Sequence, residues 1–136
     1  MGNVVVDSSV WIDFFNKKAS PQIEIIKNFI IAEPVITSIT LLPIVLQEVL
    51  QGIQSNKHYE VVKENLQGFN QFIYDAYAFA INAADLFRYL QKKGITIRKA
   101  NDCLIASVCI ENELTLLHND RDFDNIAKYT SLKIYK

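Results

Sequence analysis

The segment HNDRDFD at residues 118–124 places three carboxylates at alternate positions, Asp120, Asp122 and Asp124. It directly follows the apolar run LTLL at residues 114–117, which has the composition of a buried strand. The aspartates could form a polar turn that caps the next helix. They could also be half of a metal site, because clustered carboxylates supply the oxygen ligands that Mg²⁺ and Mn²⁺ prefer.

Two further aspartates lie at predicted ends of strands or helices. Asp7 directly follows the run VVV, and Asp102 begins the predicted helix DCLIASVCIE, where free N–H groups and the helix dipole favour a carboxylate. Ligands of open α/β sheets bind beyond the carboxyl ends of the strands, so Asp7, Asp120 and Asp122 are expected at one edge. Taken singly, each of these residues could equally be a helix cap.

Glu48 is not singled out by its position on a helix. The predicted helix at residues 43–54 carries an apolar stripe, and Glu48 lies roughly opposite to it; the stripe consists of Leu46, Val49, Leu50 and Ile53. The helix-face pattern alone therefore predicts a solvated glutamate.

Helices and strands alternate along the whole chain. Predicted strands cover residues 3–6, 34–38, 72–75, 114–117 and 132–136. Predicted helices cover residues 10–16, 20–32, 43–54, 59–72, 77–93, 103–113 and 123–130, with Gly94 terminating the long helix at 77–93. The strands are short and do not alternate in polarity, which is typical of a parallel sheet covered on both faces. We therefore expect one α/β domain over residues 1–136.

Composition limits the classes of function. The chain has 136 residues, half of them hydrophobic, and a formal net charge of −1, so any nucleic-acid binding needs a local basic patch. Cys103 and Cys109 lie in an apolar helix without a CxxC pair, which predicts reduced core thiols and argues against a zinc site. No run reaches the ~20 apolar residues that span a bilayer, and no signal-peptide pattern occurs. A cytoplasmic protein is expected.

Three segments together resemble a known family. VVVDSSVWIDFF, VLQEVLQGI and NDCLIASVCIENELTLLHNDRDFDNIA are similar, in this order, to the three signature blocks of PIN-domain ribonucleases. The resemblance is nearest to the VapC-type toxins of bacterial and archaeal toxin–antitoxin pairs, and it extends from residue 3 to about residue 128. It implies a three-layer α/β/α domain with a short parallel central sheet.

The resemblance also implies a site and an activity. The acidic pocket would consist of Asp7, Glu48, Asp102 and Asp120, with Asp122 as a neighbouring metal ligand; either Asp120 or Asp122 could be the main ligand. It thereby reverses the solvated interpretation of Glu48. Ser9 and Asn119 match polar positions that orient ligands or water. The implied activity is hydrolysis of RNA with Mg²⁺ or Mn²⁺ and an activated water.

Other polar residues lie outside the implied pocket. Because an activated water is the nucleophile, His118 would be a surface or neighbouring residue, and His58 a solvated one. Asp13 falls outside the motif and is interpreted as structural, and Asp124 is interpreted as a capping or surface residue.

Several partners follow from the same resemblance: RNA, a small VapB-like antitoxin and a second copy of the chain. The basic residues that could meet RNA are Lys92, Lys93, Arg98, Lys99 and Arg121, with Lys17 and Lys18, although the lysines could simply complement helix ends. The apolar segment at residues 77–87 could form a dimer surface, an antitoxin surface or a core helix.

The alternatives are a PIN nuclease of RNA maturation and an inactive PIN module that binds proteins. A dehalogenase-type phosphatase is disfavoured because Ser9 stands where its second acid is needed. A dinucleotide-binding enzyme is disfavoured because none of the four glycines lies in a GxGxxG array.

Overall fold

The computed structural model describes residues 3–32 and 39–135, and of residues 29–32 only the backbone. The five strands are β1 (Val4–Val6), β2 (Ile39–Leu41), β3 (Asn70–Gln71), β4 (Thr115–Leu117) and β5 (Lys133–Ile134). The seven helices of the described residues are α1 (Ser8–Phe15), α2 (Pro21–Ala32), α3 (Pro43–Gln51), α4 (Asn56–Gln67), α5 (Ala76–Lys92), α6 (Ala100–Glu111) and α7 (Arg121–Tyr129).

The strands form one parallel sheet in the order β3-β2-β1-β4-β5. The chain moves outward from β1 to β3, crosses back over the sheet, and then continues from β4 to β5. Right-handed crossovers place α1–α4 on one face and α5–α7 on the other. The helix contacts agree with these two layers, since α1 packs on α2 and α3, α3 on α4, and α6 on α5 and α7. The predicted three-layer α/β/α fold is confirmed.

The direction of the crossovers reverses between β1 and β4, which are neighbours. Val4, Val5 and Val6 pair with Thr115, Leu116 and Leu117, and the N–H of Asp7 continues the ladder by donating to Leu117 O at 2.9 Å. A crevice opens at such a switch point, beyond the carboxyl ends of the two strands. The residues that follow β1 and β4 are therefore adjacent.

The central strands are buried in the core, which is why the sequence predicts them from their apolar residues. All residues of β1 and β2 are buried, and Trp11 of α1 is fully buried against the rings of Phe15 at 5.9 Å and Phe69 at 5.2 Å. Cys103 and Cys109 are free and buried, as expected, and burial raises their thiol pKa values to about 11 and about 12. These thiols contribute to packing.

Two predicted elements are misplaced. The third strand was predicted at residues 72–75 but lies at Asn70–Gln71. Asp75 is not part of a strand, because its side chain caps α5 by accepting hydrogen bonds from Tyr77 N and Ala78 N. The helix predicted at residues 59–72 begins at Asn56, after the capping side chain of Ser55, and ends at Gln67.

The remaining boundaries are closer to prediction. The second strand predicted at residues 34–38 lies outside the described residues, and the described strand of this region is Ile39–Leu41. Gly94, with φ 84°, follows the end of α5 as predicted. Among the described residues, no helix combines the length and the apolar character that crossing a membrane requires.

Candidate active site

Asp7 lies at the carboxyl end of β1 and is only 4% exposed. It is the N-cap of α1, and its Oδ2 accepts hydrogen bonds from Ser9 N at 3.1 Å and Ser9 Oγ at 2.6 Å. Its Oδ1 is buried and has no hydrogen-bond partner among the described residues. Capping therefore accounts for one carboxylate oxygen, while the other is left unpaired at the switch point, where a buried polar atom is expected to have a ligand.

Asp102 lies in the first turn of α6 and is also 4% exposed. The helix begins at Ala100, earlier than predicted, so Asp102 is inside the helix and is not its N-cap. Its Oδ2 is buried without a hydrogen-bond partner in the described part of the chain. The pKa of Asp102 is raised to about 7, chiefly by burial and then by the charge of Asp7, with smaller contributions from Asp120 and Glu48 and an opposing effect of Lys99.

Glu48 is half-buried, in contrast to the helix-face prediction. The buried residues of α3 are Val45 and Val49, so the helix turns a different face to the core than the predicted stripe suggested, and Glu48 lies beside that face. Its Oε2 accepts a hydrogen bond from Asn101 Nδ2 at 3.2 Å, and its Oε1 is buried without a described partner. The implied inward position of Glu48 is thus the one observed.

Asp120 follows β4 and is the N-cap of α7, with Oδ1 accepting from Asp122 N at 2.9 Å. Arg98 Nη2 contacts the same Oδ1 at 3.2 Å, and Lys99 Nζ contacts Oδ2 at 3.4 Å. Burial acts to raise the pKa of Asp120, but the N–H of Asp122 and the charges of Lys99 and Arg98 outweigh it and hold the pKa below its usual range. Asp120 therefore remains ionised.

Asp122 is buried in the first turn of α7. Its Oδ2 accepts from Arg98 Nε at 3.1 Å and from Arg98 N at 3.4 Å. Arg98 consequently bridges Asp122 and Asp120, and Lys99 adds a second cation beside Asp120. Both basic residues stay more than half exposed, with side-chain exposures of 59% and 61%.

The aspartates of three segments converge. Oxygens of Asp102, Asp120 and Asp122 lie within 4.8 Å of one another, and Asp7 and Glu48 act electrostatically on Asp102. Such a group has mutually repelling charges that a cation would relieve. The donor set consists of oxygens only, and three of these oxygens, one each on Asp7, Glu48 and Asp102, are buried and unpaired in the described chain. These residues fit a hard divalent cation.

The other predicted site residues divide into near and remote ones. Ser9 contacts Asp7 directly, whereas Asn119 is exposed in the turn after β4. The basic residues Lys92, Lys93 and Arg121 are exposed. Asp13 pairs with Lys18 at 3.9 Å at the end of α1, which agrees with its structural interpretation. Of the two positions considered for His118, the neighbouring one is observed, because the residue is buried beside Asp120 and is not on the surface.

Asn101 is a site residue that the sequence pattern does not single out. It precedes Asp102 in the segment KANDCL, and only its place on the first turn of α6 could have drawn attention to it. Its amide orients Glu48, and the hydrogen bond joins α6 to α3 across the cluster.

Replacing Asn101 with alanine is expected to weaken Mn²⁺ binding by about 10-fold or more, because Glu48 loses the bond that orients it. Isothermal titration of the metal-free protein measures the effect. Asn112→Ala is the matched control, since the Asn112 side chain bonds Val108 O at the other end of the same helix. Equal affinities of the two variants would show that the Asn101–Glu48 contact is irrelevant to the cation.

The chain is similar to known proteins in sequence and in fold. The sequence model of the PIN domain matches residues 4–129. The chain is 28% identical over 131 residues to Ribonuclease VapC11 of Mycobacterium tuberculosis, covering 96% of each chain. In fold it is similar to VapBC2 from Rickettsia felis bound to a promoter DNA fragment (TM-score 0.74, 19% identity, 97% and 96% of the two chains covered). It is also similar to DNA-bound VapBC from Salmonella typhimurium (TM-score 0.73, 20% identity, 99% and 98% covered). From the strand order, the convergent acids and the match over nearly its whole length, the chain belongs to the PIN domain family.

Proposed function

We propose that this chain is a metal-dependent endoribonuclease and the toxin of a VapBC-type toxin–antitoxin pair. One observation carries the proposal: at the switch point, oxygens of Asp102, Asp120 and Asp122 lie within 4.8 Å of one another and Asp7 and Glu48 act electrostatically on Asp102, while three carboxylate oxygens are buried and unpaired among the described residues. The ribonuclease name of the relatives that match along almost their whole length supports the choice of RNA as substrate. In this proposal residues 1–136 form one PIN domain that acts in the cytoplasm.

Asp7, Glu48, Asp102 and Asp120 would hold Mg²⁺ or Mn²⁺, with Asp122 adjacent. When bound, such a cation lowers the pKa of a water and neutralises charge on the scissile phosphate. The chain contributes the geometry. Ser9 fixes one oxygen of Asp7 and Asn101 fixes one oxygen of Glu48, so that each carboxylate keeps its other oxygen for a ligand.

Two basic residues at the pocket, Arg98 and Lys99, offset its negative charge. Arg98 and Lys99 neutralise part of the repulsion among the aspartates and leave cationic groups exposed at the rim. A phosphate approaching the acidic pocket therefore meets positive charge first, and Lys and Arg side chains are the groups that attract nucleic-acid phosphates. Because these two residues contact Asp120, replacing them would change the orientation of the carboxylates as well as the binding of RNA.

Lys92 and Lys93 provide a cleaner test of RNA binding, since they lie at the end of α5, which leads directly to Arg98 and Lys99. Replacing both with alanine is expected to weaken binding of single-stranded RNA and to reduce the salt dependence, by about 0.7 in the log–log slope for each phosphate that is no longer neutralised. Mn²⁺ affinity should not change. Fluorescence anisotropy at several salt concentrations measures the slope.

The matched control is Lys27→Ala with Lys57→Ala, because these exposed lysines lie on α2 and at the start of α4, on the other face of the sheet from α5. The same slope for both double variants would remove Lys92 and Lys93 from the RNA-binding surface.

The expected protein partner is a small VapB-like antitoxin that blocks the pocket and represses its own operon as a complex. Two of the similar solved structures are VapBC complexes bound to DNA, which supports a partner of this kind. Co-expression with a small reading frame adjacent to the gene is expected to restore growth of cells that the toxin arrests.

The exposed face of α5 is proposed to bind a second copy of the chain. It carries Tyr77 at 81% and Ile81 at 52% exposure, beside the exposed Ile73 at 75%. Exposed small residues lie near them along α5, and no charged residue occurs over residues 76–84; the small residues are Ala76, Ala78, Ala80 and Ala84. Large and small apolar residues alternate on this face, so two copies can interdigitate.

Tyr77→Arg is expected to convert a dimer to a monomer at micromolar concentration, because the guanidinium would be buried unpaired in the interface. Light scattering coupled to size exclusion gives the mass. Tyr129→Arg, at a tyrosine of α7 that is 40% exposed, is the control. A wild-type monomer, or a Tyr77→Arg dimer, would contradict this surface.

The function itself is tested by incubating the purified chain with a defined RNA and Mg²⁺ or Mn²⁺. Cleavage that is lost on adding EDTA and restored by excess Mn²⁺ is the expected outcome. Binding of Mn²⁺ without cleavage of any RNA, single- or double-stranded, would favour an inactive module of the same fold.

A further inference from the structure

His118 is a buried ionisable residue that the proposed reaction does not use. It directly follows β4, two residues before Asp120, and is only 7% exposed. Its ring lies against the fully buried ring of Phe123 on α7, with 5.2 Å between the centroids. The imidazole is therefore held between the end of the strand and the first turn of the helix, beside the acidic cluster.

Both ring nitrogens of His118 lie within hydrogen-bonding distance of a neighbouring residue. Nδ1 lies 3.0 Å from the backbone nitrogen of Asp120, and Nε2 lies 3.2 Å from Asp124 Oδ1. Because a backbone N–H can only donate, Nδ1 must be the acceptor and carry no proton. The proton of the neutral ring is then on Nε2, and this N–H donates a hydrogen bond to Asp124 Oδ1.

These contacts fix the backbone from which the Asp120 carboxylate extends. Asp120 has an extended conformation, φ −142° and ψ 121°, and its carbonyl accepts from Phe123 N at 3.1 Å. On the other side its N–H is bound by His118. With both peptide groups held, the carboxylate can reach Asp122 N, Arg98 and the other acids in one orientation.

We propose that His118 is a positioning residue that holds Asp120 in its cation-binding orientation, and that Asp124 in turn orients the imidazole. The inference rests on the proposed function for its catalytic consequence. The ring has both nitrogens engaged and none with which to accept a proton from water, so it acts through Asp120. An outer partner that orients a ligand in this way raises the affinity of the site for its metal.

Two substitutions separate the hydrogen bond from the shape of the ring. His118→Asn keeps an acceptor, because Asn Oδ1 is the same number of bonds from the backbone as Nδ1. His118→Phe keeps a planar ring against Phe123 but has no acceptor. His58→Phe is the matched control, since it makes the same change at a histidine on α4 outside the acidic cluster.

The first readout uses the metal-free protein and requires no activity. Hydrogen exchange of the Asp120 amide, followed by ¹H–¹⁵N spectra, is expected to be slow in the wild type, His118→Asn and His58→Phe, and at least about 10-fold faster in His118→Phe. The second readout is titration with Mn²⁺. We expect an affinity loss of about 10- to 100-fold in His118→Phe and of less than about 3-fold in His118→Asn.

The two readouts distinguish failure of this inference from failure of the proposed function. Unchanged exchange at Asp120 in His118→Phe, or equal losses of Mn²⁺ affinity in His118→Phe and His118→Asn, would overturn the positioning role. If the wild type binds Mn²⁺ but cleaves no RNA, the ribonuclease proposal fails while the positioning role is still decided by exchange and affinity. Retained spectra and melting temperature establish that each variant is folded.

Discussion

Asp7→Asn is expected to lower the rate of Mg²⁺-dependent RNA cleavage by at least about 100-fold, which is the usual effect of removing one preorganised electrostatic contact from an active site. The substitution keeps the size of the side chain and one oxygen that can accept from Ser9, so the cap of α1 is preserved. It removes the charge of a carboxylate whose other oxygen is buried and unpaired in the described chain. The loss therefore concerns the cation and not the fold.

The measurement is the initial rate of cleavage of a fluorogenic RNA, together with circular dichroism to establish folding. Asp13→Asn is the matched control, because Asp13 lies on the same helix and contacts Lys18 outside the cluster. Its activity should equal that of the wild type. Asp7→Asn with activity within about 3-fold of the wild type would refute the metal mechanism.

Asp102→Asn is expected to stabilise the metal-free protein at pH 8 and to have little effect at pH 4. The pKa of Asp102 is raised from 3.8 to about 7, chiefly by burial and then by the charge of Asp7. The folded chain thus keeps a proton that the unfolded chain releases, so this residue increasingly destabilises the fold as the pH rises from about 4 to about 7. Asparagine has no charge and removes that penalty.

Thermal unfolding with EDTA at both pH values gives the result. We expect the melting temperature of Asp102→Asn to exceed that of the wild type at pH 8 by about 5 °C or more, with a much smaller difference at pH 4. Saturating Mn²⁺ should raise the melting temperature of the wild type more than that of the variant. The same difference in melting temperature at both pH values would show that folding does not raise the pKa of Asp102.

The parts of the fold predicted correctly are those whose sequence carries a strong local signal. β1 is an unbroken apolar run and β4 lies in the largely apolar segment LTLL, and the parallel sheet must place the acids that follow each strand at one edge. β3 has only two exposed polar residues, Asn70 and Gln71, so nothing in its composition distinguishes it from the turn around it. Its backbone pairs with β2 because of tertiary contacts, which periodicity does not report.

Some residues of the candidate site were predictable from a local sequence signal, and others depend on the tertiary fold. Asp7 and Asp120 were indicated by position after a strand, whereas Glu48 required the family resemblance, because the face of α3 that is buried depends on how the helix packs. The contacts of Asn101 with Glu48 and of Arg98 with Asp122 join residues far apart in sequence. Such pairings depend on the tertiary fold, and no local pattern encodes them.

The order of the strands determines when the acidic site is completed during synthesis. β1 is translated before every other described strand, whereas its neighbour β4 and the aspartates after it follow all the other segments of the cluster. A nascent or truncated chain that stops before residue 120 has neither Asp120 nor Asp122, and one that stops before β4 also lacks the strand that completes the centre of the sheet. We therefore expect a fragment that ends before residue 120 to bind Mn²⁺ far more weakly than a chain that continues through α7, because the fragment lacks two of the three clustered aspartates.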